Sequence, residues 1–150
     1  MALLDVLATP SICVGLEGED KEEVFEELVN LLVRAGHVAN HDAAIAALQE
    51  RERLGTTGIG GGVAIPHGKD PSIGRLCAAV GTSPRGIEWE AADDEPVFLV
   101  FLVLAEENNP GPHVQLLADV ARLLKAPGLR QRLIAAKSAD EILALIREAS

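Results

Sequence analysis

The sequence predicts an α/β layered domain, and three observations support this prediction. Segments with apolar residues at helical spacing alternate along the chain with short apolar runs that resemble buried strands. Apolar residues make up 48% of the chain and charged residues 24%, as is usual for a globular protein. A length of 150 residues suits one domain with a core of its own, so we expect residues 1–150 to form a single domain. These patterns leave the order of the strands open.

The first two predicted elements are helices. Asp20 is a suitable N-cap for the first, and Gly36 is a suitable end after an apolar stripe at helical spacing. The second is expected to begin at Asn40 or His41 and to continue to Arg53, before another glycine.

A glycine-rich segment follows the second helix. Residues 55–62 contain five glycines in eight positions, and the apolar run Val63–Ile65 after them predicts a short strand. Pro66 fixes its own φ and biases the residue before it towards an extended conformation. We therefore expect the strand to end at a turn that bears His67.

Two longer apolar runs, Leu76–Thr82 and Val97–Leu104, have the character of buried strands. They are separated by an acidic segment from Glu88 to Glu95, which contains Trp89. Its carboxylates have no obvious chemical partner, so we expect a solvated loop.

The C-terminal third is predicted to be helical. One helix should begin near His113, and a short helix should follow a break at Pro127. Ser138 starts a capping box for a last helix that reaches Arg147. The expected inner face of the helix that begins near His113 consists of Leu117, Val120, Ala121 and Leu124.

Composition excludes several function classes. The formal net charge is −10, with 23 acidic against 13 basic side chains, so a nucleic acid would be repelled overall. Only three Phe, one Trp and no Tyr are present, which removes the stacking platforms of a single-strand binder. Cys13 and Cys77 are too few for a disulfide framework, and free thiols in a reducing cytoplasm fit them best.

Membrane insertion and secretion are not predicted. The N-terminal segment lacks a basic stretch and has Asp5 early, unlike a signal peptide. The longest apolar run, Val97–Ala105, is far shorter than the roughly 20 residues that a membrane-spanning helix needs. We expect a cytoplasmic protein.

The glycine cluster does not match the common phosphate-binding motifs. A P-loop around Gly68 and Lys69 would need glycine where Val63 stands and a hydroxyl residue where Asp70 stands. A dinucleotide fingerprint runs strand, glycines, helix, whereas here the order is helix, glycines, strand. What remains is a loop whose backbone can approach a ligand closely, although such a segment is more often only a turn.

His67 is the candidate nucleophile, because a neutral imidazole can form a covalent intermediate. Backbone amides of Gly61, Gly62 and Gly68 would then be available as donors to an attached phosphoryl group. Composition alone favours the alternative, an ordinary histidine in a surface loop.

Two further side chains could assist His67, each with an ordinary alternative. His113 near a helix N-terminus would stay neutral and donate one hydrogen bond, or simply face solvent. Arg51 could contact a phosphoryl group, or belong to a solvated helix face. His37 and His41 are four residues apart, but a third ligand is not evident, so a metal site is not predicted.

The stretch from Arg51 to Lys69, RERLGTTGIGGGVAIPHGK, resembles the active-site segment of fructose/mannitol-type enzyme IIA domains of the bacterial phosphotransferase system, closest to the nitrogen-regulatory branch. Further matches are GIEW from Gly86, EPV from Glu95, HVQLLA from His113 and RLL from Arg122. The resemblance covers nearly the whole chain. A departure is glycine at position 61, where some sequences of the family have a polar residue.

The resemblance implies a three-layer α/β sandwich with a central mixed β-sheet flanked by helices. It implies that His67 is the phosphorylated histidine, with Nε2 as the modified atom, that His113 is a second active-site histidine and that Arg51 contacts the phosphoryl group. Gly62, Pro66 and Gly68 match the surrounding motif and are assigned shaping roles. A metal or cofactor is not implied, since motifs for Mg²⁺ and ATP are absent from the sequence.

The function implied is that of a phosphocarrier. Its partners would be an HPr-like histidine phosphocarrier protein as donor, and a IIB domain or regulatory target proteins downstream. Two hypotheses stay open: a nitrogen-branch regulatory IIA, and a sugar-specific IIA that passes phosphoryl to IIB for uptake. A third class, a metal- or glycan-binding domain, would make His67 incidental.

Overall fold

The computed structural model describes residues 1–150, which form six α-helices and six β-strands. The helices are α1 (Ala2–Val6), α2 (Lys21–Arg34), α3 (His41–Arg53), α4 (Pro110–Leu123), α5 (Leu129–Ala135) and α6 (Ala139–Ala149). The strands are β1 (Ile12–Val14), β2 (Gly58–Gly60), β3 (Val63–Ala64), β4 (His67–Asp70), β5 (Cys77–Ile87) and β6 (Val97–Glu106).

The strands form one mixed sheet in the order β1-β5-β6-β3-β2, with β4 also paired to β6. Strand β6 is antiparallel to β5 and parallel to β3 and β4. One apolar cluster lies between the sheet and α2 and α3, and a second lies between the other face and α1, α4, α5 and α6. The three-layer α/β sandwich with a central mixed sheet is confirmed.

Strands β3 and β4 are two parts of one interrupted strand, which corrects the prediction of a turn at His67. Val63 pairs with Leu99 and His67 pairs with Val103, so the register along β6 is the same on both sides of the interruption. Pro66 has no amide proton to give to the ladder. Its carbonyl nevertheless accepts from the Val103 amide at 2.9 Å, and this bond carries the pairing past the proline.

The predicted helix caps are confirmed. Side-chain oxygens of Asp20, Asn40 and Ser138 each accept a hydrogen bond from the amide three residues further on, at the starts of α2, α3 and α6. These bonds satisfy amides that have no partner inside the helix. The break before α5 is also confirmed, since Gly128 precedes it in a left-handed conformation with φ 75°.

Helix α4 begins at Pro110, three residues earlier than expected, and two of the four residues predicted for its inner face are not buried. Leu117 is only half-buried and Ala121 is exposed. Because leucines come in adjacent pairs here, the helical period alone does not decide which member of a pair faces the core. The buried apolar residues at α4 and its C-cap are Leu116, Val120, Leu123 and Leu124.

The acidic segment before β6 contains a core residue that the sequence reading placed in a solvated loop. Trp89 is 0% exposed and packs edge-on against Phe25, with ring centroids 5.8 Å apart. The acidic side chains around it face solvent as expected. The segment therefore closes one end of the core of α2 and α3.

Three short elements were not predicted, namely α1, β1 and β2. Each has at most five residues, which is too few for a periodic pattern of apolar residues to be recognised. The longest helices have 14 residues, and none combines the length and apolar character needed to cross a bilayer.

Candidate active site

A cleft of about 450 Å³ lies where the C-terminal end of α3, strand β4 and the N-terminal end of α4 meet. His67, His113 and Arg51 all line it, although they lie on three separate elements. Gly68 also lines the cleft. Strand β4 lies at the edge of the sheet, because β6 is the only strand that pairs with it.

The imidazole of His67 has one nitrogen anchored and the other free. Its Nδ1 lies 2.8 Å from the carbonyl oxygen of Ile65, and a carbonyl can only accept, so Nδ1 carries the proton. Nε2 consequently has a lone pair and makes no hydrogen bond within the protein. Burial lowers the pKa of His67, and the nearby Arg51 lowers it further, against a smaller raising effect of the backbone hydrogen bond. The ring is thus neutral at pH 7, and a neutral imidazole with a free lone pair is able to act as a nucleophile.

His113 lies beside His67 in the first turns of α4. The two ring centroids are 5.5 Å apart, with an angle of 71° between the planes. Burial lowers the pKa of His113, and the neighbouring His67 and Lys69 act in the same direction. Its Nε2 is buried and has no hydrogen-bond partner. A buried polar atom without a partner is costly in a native structure, so this nitrogen is a candidate ligand-binding group.

Arg51, in the last turn of α3, places a cation at the same cleft. Its Nη1 donates to the carbonyl oxygen of Gly55 at 2.8 Å, and its other N–H groups have no partner within the chain. A guanidinium held in this way can present the remaining donors to an anion.

Gly68 permits the close approach of α3 to β4. A Cβ at this position would lie 2.9 Å from the carbonyl carbon of Ala47 and 3.0 Å from its oxygen, both in the backbone of α3. Any larger residue would push α3, and Arg51 with it, away from His67. This contact gives Gly68 a structural reason to lack a side chain.

Sequence reasoning assigned no role to several residues that line the same cleft. Lys69 lies two positions after His67 in β4, and residues two apart in a strand face the same side. Predicting a strand instead of a turn would have placed this cation beside the histidine. Two exposed apolar side chains, Leu54 and Val114, line the cleft as well, at 70% and 64% exposure. Glu50 and Glu106 complete the polar lining.

The glycine turn lies away from the histidines. Gly62 precedes the residue that pairs with Leu99, whereas His67 pairs with Val103, about 13 Å further along β6 at roughly 3.3 Å per residue. The Gly61 amide donates to Asp93 at 3.0 Å. The expectation that the amides of Gly61 and Gly62 serve a group on His67 is therefore wrong.

Gly62 and Pro66 have contacts that fit shaping roles. The Gly62 carbonyl accepts from the amides of Phe98 and Leu99, at 2.8 and 3.0 Å, where β3 joins the sheet. Gly62 also has φ 81°, a conformation that residues with a Cβ rarely adopt. Pro66 is buried directly before His67 and bonds to β6 through its carbonyl.

Residues 6–149 match the family described as Phosphoenolpyruvate-dependent sugar phosphotransferase system, EIIA 2. The PTS system fructose-specific EIIA component of Haloferax volcanii is 36% identical over 93% of this chain and 92% of its own length. The Nitrogen regulatory protein of Bradyrhizobium diazoefficiens is 35% identical over 97% of this chain and 95% of its own length. The fructose-specific EIIABC component of Bacillus subtilis is 34% identical over 99% of this chain, which spans only 23% of that longer protein.

Solved structures resemble the fold closely. The Nitrogen Regulatory Protein IIA-Ntr from Neisseria meningitidis superposes with a TM-score of 0.89 at 32% identity, over 97% of this chain and 99% of that one. The IIA mannitol protein of Escherichia coli, solved in complex with phosphorylated enzyme IIB, gives a TM-score of 0.81 at 25% identity, over 95% of this chain and 97% of that one. The chain therefore belongs to the EIIA type 2 family of the phosphoenolpyruvate-dependent sugar phosphotransferase system.

Proposed function

We propose that this chain, acting as one EIIA unit, is a phosphocarrier that accepts a phosphoryl group on Nε2 of His67. The observation that carries the proposal is the hydrogen bond of 2.8 Å between Nδ1 and the Ile65 carbonyl. It fixes the tautomer and leaves the Nε2 lone pair available in a cleft that also holds His113 and Arg51. Family membership supports the same chemistry.

The proposed reaction has two in-line displacements. In the first, the Nε2 lone pair of His67 attacks phosphorus of a phosphohistidine on an HPr-like carrier protein. The new N–P bond forms as the N–P bond of the donor breaks, and the donor imidazole leaves with its electron pair. In the second, a nucleophile of the downstream acceptor takes the phosphoryl group and the neutral His67 ring is restored. Nδ1–H stays bonded to the Ile65 carbonyl throughout, so His67 itself loses no proton.

The neighbouring groups have roles that follow from charge. A phosphoryl group in transfer spreads negative charge over its equatorial oxygens, and positioning with charge stabilisation accounts for most of the catalysis. The free N–H groups of Arg51 and the ammonium of Lys69 supply positive charge at the cleft. The unpartnered Nε2 of His113, if it bears the proton, adds a neutral donor that a phosphoryl oxygen can satisfy.

Family membership supports the choice of partners in this proposal. The donor in this proposal is an HPr-like phosphocarrier protein, and the transfer takes place in the cytoplasm. A regulatory role of the nitrogen branch is supported by the Bradyrhizobium and Neisseria relatives, both named as nitrogen regulatory proteins. Phosphorylation would then change the charge of the cleft and alter binding to regulated targets.

The alternative is a sugar-specific IIA that passes its phosphoryl group to a IIB domain. It is supported by the Haloferax relative, a fructose-specific EIIA component of about this length. The mannitol complex supports IIB as the acceptor in this alternative.

The site is tested by phosphorylation in vitro. The chain is incubated with radiolabelled phosphoenolpyruvate, enzyme I and the HPr-like carrier, and the product is examined for acid-labile, base-stable label. We expect labelling of the wild type and none of His67→Ala. His37→Ala, at an exposed position outside the cleft, is the matched control and should be labelled normally. Labelling that persists in His67→Ala would falsify the site.

The two roles are separated by adding acceptors to the phosphorylated chain. A sugar-specific IIA should lose its label to a fructose- or mannitol-type IIB domain within seconds to minutes and support sugar phosphorylation. A regulatory IIA should keep its label in the presence of that IIB domain. Genes for IIB and IIC components beside this one would favour the sugar-specific role.

A further inference from the structure

We infer that the buried carboxylate of Glu52 is a positioning residue for phosphoryl transfer, acting on His67 through a chain of three hydrogen bonds. Glu52 directly follows Arg51 in α3 and does not line the cleft. The inference rests on the proposed function, because it concerns the geometry of the same nucleophile.

The chain begins at a carboxylate that is fully engaged. The Glu52 side chain is only 6% exposed, and its two oxygens accept three hydrogen bonds. Thr57 donates two of them, from its hydroxyl at 2.5 Å and from its amide at 3.0 Å. Lys21 of α2 donates the third at 3.3 Å, and this charge partner offsets the cost of burying the carboxylate.

The next two bonds connect this anchor with the nucleophile. Thr57 is a buried residue, and its carbonyl accepts a hydrogen bond from the Ile65 amide at 3.0 Å. The Ile65 carbonyl accepts from His67 Nδ1 at 2.8 Å. Glu52 thus fixes Thr57, Thr57 fixes the peptide unit at Ile65, and that unit fixes the ring tautomer.

The same anchor serves the arginine of the cleft. The segment between α3 and β2 includes Gly55, whose carbonyl accepts from Arg51, and it ends at the anchored Thr57. Holding Thr57 to Glu52 therefore fixes both ends of a short loop against the helix that carries Arg51. The buried carboxylate of Glu52 therefore helps to orient the carbonyl acceptors of both Arg51 and His67, the two side chains that would contact the phosphoryl group.

The contribution of Glu52 is geometric rather than electrostatic. Its negative charge acts to raise the pKa of His67, but burial of the ring and the charge of Arg51 act in the opposite direction. The net direction is down, so Glu52 does not decide the charge of the ring. Groups that orient metal-binding histidines without touching the metal typically cost about 10- to 100-fold in activity when removed, and we expect an effect at the lower end of this range for the ring of His67.

The test uses two substitutions at Thr57 in the full chain. Thr57→Val removes the hydroxyl with little change in shape, whereas Thr57→Ser removes a methyl group and keeps the hydroxyl. Two quantities are measured: the protonation of the His67 ring nitrogens by ¹⁵N NMR, and the rate of phosphoryl acceptance from the HPr-like carrier. A packing role predicts that Thr57→Ser is the more damaging change, and a positioning role predicts Thr57→Val.

We expect Thr57→Val to show a mixture of ring tautomers and acceptance slowed by roughly tenfold, with Thr57→Ser within about twofold of wild type. Glu52→Gln should behave like Thr57→Val or worse, and Glu95→Gln, on the exposed loop, like the wild type. If Glu52→Gln does not fold, Thr57→Val alone decides the result.

Several results would overturn the inference. The inference fails if Thr57→Val keeps the wild-type tautomer of His67, and it fails equally if this variant accepts phosphoryl at the wild-type rate. A positioning role requires the tautomer and the rate to change together. Failure of the proposed function is distinguishable: the wild type would then accept no phosphoryl group at all. The NMR comparison needs no donor and still reports whether Glu52 and Thr57 hold the ring.

Discussion

The segment from Gly61 to His67, which contains β3 and leads into β4, differs between its two ends in how polar groups are used. At the glycine end, the Gly61 amide donates to Asp93 and the Gly61 carbonyl accepts from Arg130. At the histidine end, Nε2 of His67 and Nε2 of His113 have no partner within the protein. The sequence joins both ends in one conspicuous motif, yet the two ring nitrogens without a partner lie at the histidine end alone.

This difference in hydrogen bonding separates the two ends by their capacity to bind a ligand. The amide and carbonyl of Gly61 are already used in bonds within the protein, so they stabilise the turn and are not available to a phosphoryl group. The buried Nε2 of His113 has no such partner, and a ligand bound in the cleft would satisfy it. Matched substitutions at the two ends test this difference.

The largest effect is expected from the two arginines that each donate to a glycine carbonyl. Arg51 bonds to Gly55 at the histidine end, and Arg130 bonds to Gly61 at the glycine end. Arg51→Ala should slow phosphoryl acceptance by about 10²- to 10³-fold, because it removes charge stabilisation of the group in transfer. Arg130→Ala should leave the rate within about twofold. Rapid-quench measurement of labelling compares the two, and equal losses would remove the distinction between the ends.

A smaller effect on transfer is expected from Gly68→Ala. The added Cβ would meet the backbone of Ala47, so α3 must move outward and take Arg51 away from His67. A misplacement of about 1 Å can cost about 100-fold in rate, and we expect a loss of tens to about 100-fold. Single-turnover kinetics with the phosphorylated carrier give the rate. Circular dichroism confirms the fold, and an unchanged rate would mean that the approach of α3 is not needed.

Gly62→Ala is the matched substitution at the glycine end. Its φ of 81° and the contact with the Phe98 ring, 3.1 Å from the added Cβ, make the substitution unfavourable. We expect about 1–2 kcal/mol lower stability from the left-handed backbone, with phosphoryl acceptance unchanged. Urea unfolding gives the free energy, and labelling of the folded variant gives the activity. A large loss of activity in the folded protein would contradict the structural role.

The sequence was sufficient for the parts of this molecule that depend on neighbours along the chain. Caps such as Asp20 and Ser138 satisfy amides three residues away, so both helix starts could be predicted. The continuation of the strand past Pro66 could not, because it depends on a bond to Val103 of β6. Nor could composition or spacing place His113 beside His67; that expectation came from resemblance, and only the tertiary packing of α4 brings the rings together.

The smallest expected effect is the change of activity and stability with pH. It follows from the opposite pKa shifts of His67 in the cleft and His41 on the surface. Burial lowers the pKa of His67 below its usual value of about 6.5. The carboxylates of Asp42 and Glu26 accept hydrogen bonds from the ring of His41 and raise its pKa, and this ring links α2 and α3 on the outside. Ring titration by NMR should therefore find His67 below about 6.5 and His41 above it, with His67→Gln to assign the resonance.

The direction of each pKa shift determines how activity and stability change with pH. His67 stays more than half neutral at pH 6.5, so acceptance of phosphoryl should fall less than about twofold between pH 8 and 6.5. The ion pairs of His41 stabilise the fold below about pH 6.5, and this stabilisation is lost as pH rises through the raised pKa. The contribution of His67 to the stability of the fold depends on pH in the opposite sense. It is present above about pH 6.5 and is lost as pH falls through the lowered pKa of His67. Equal midpoints for the two rings would contradict the assignment of a desolvated, neutral nucleophile to the histidine end.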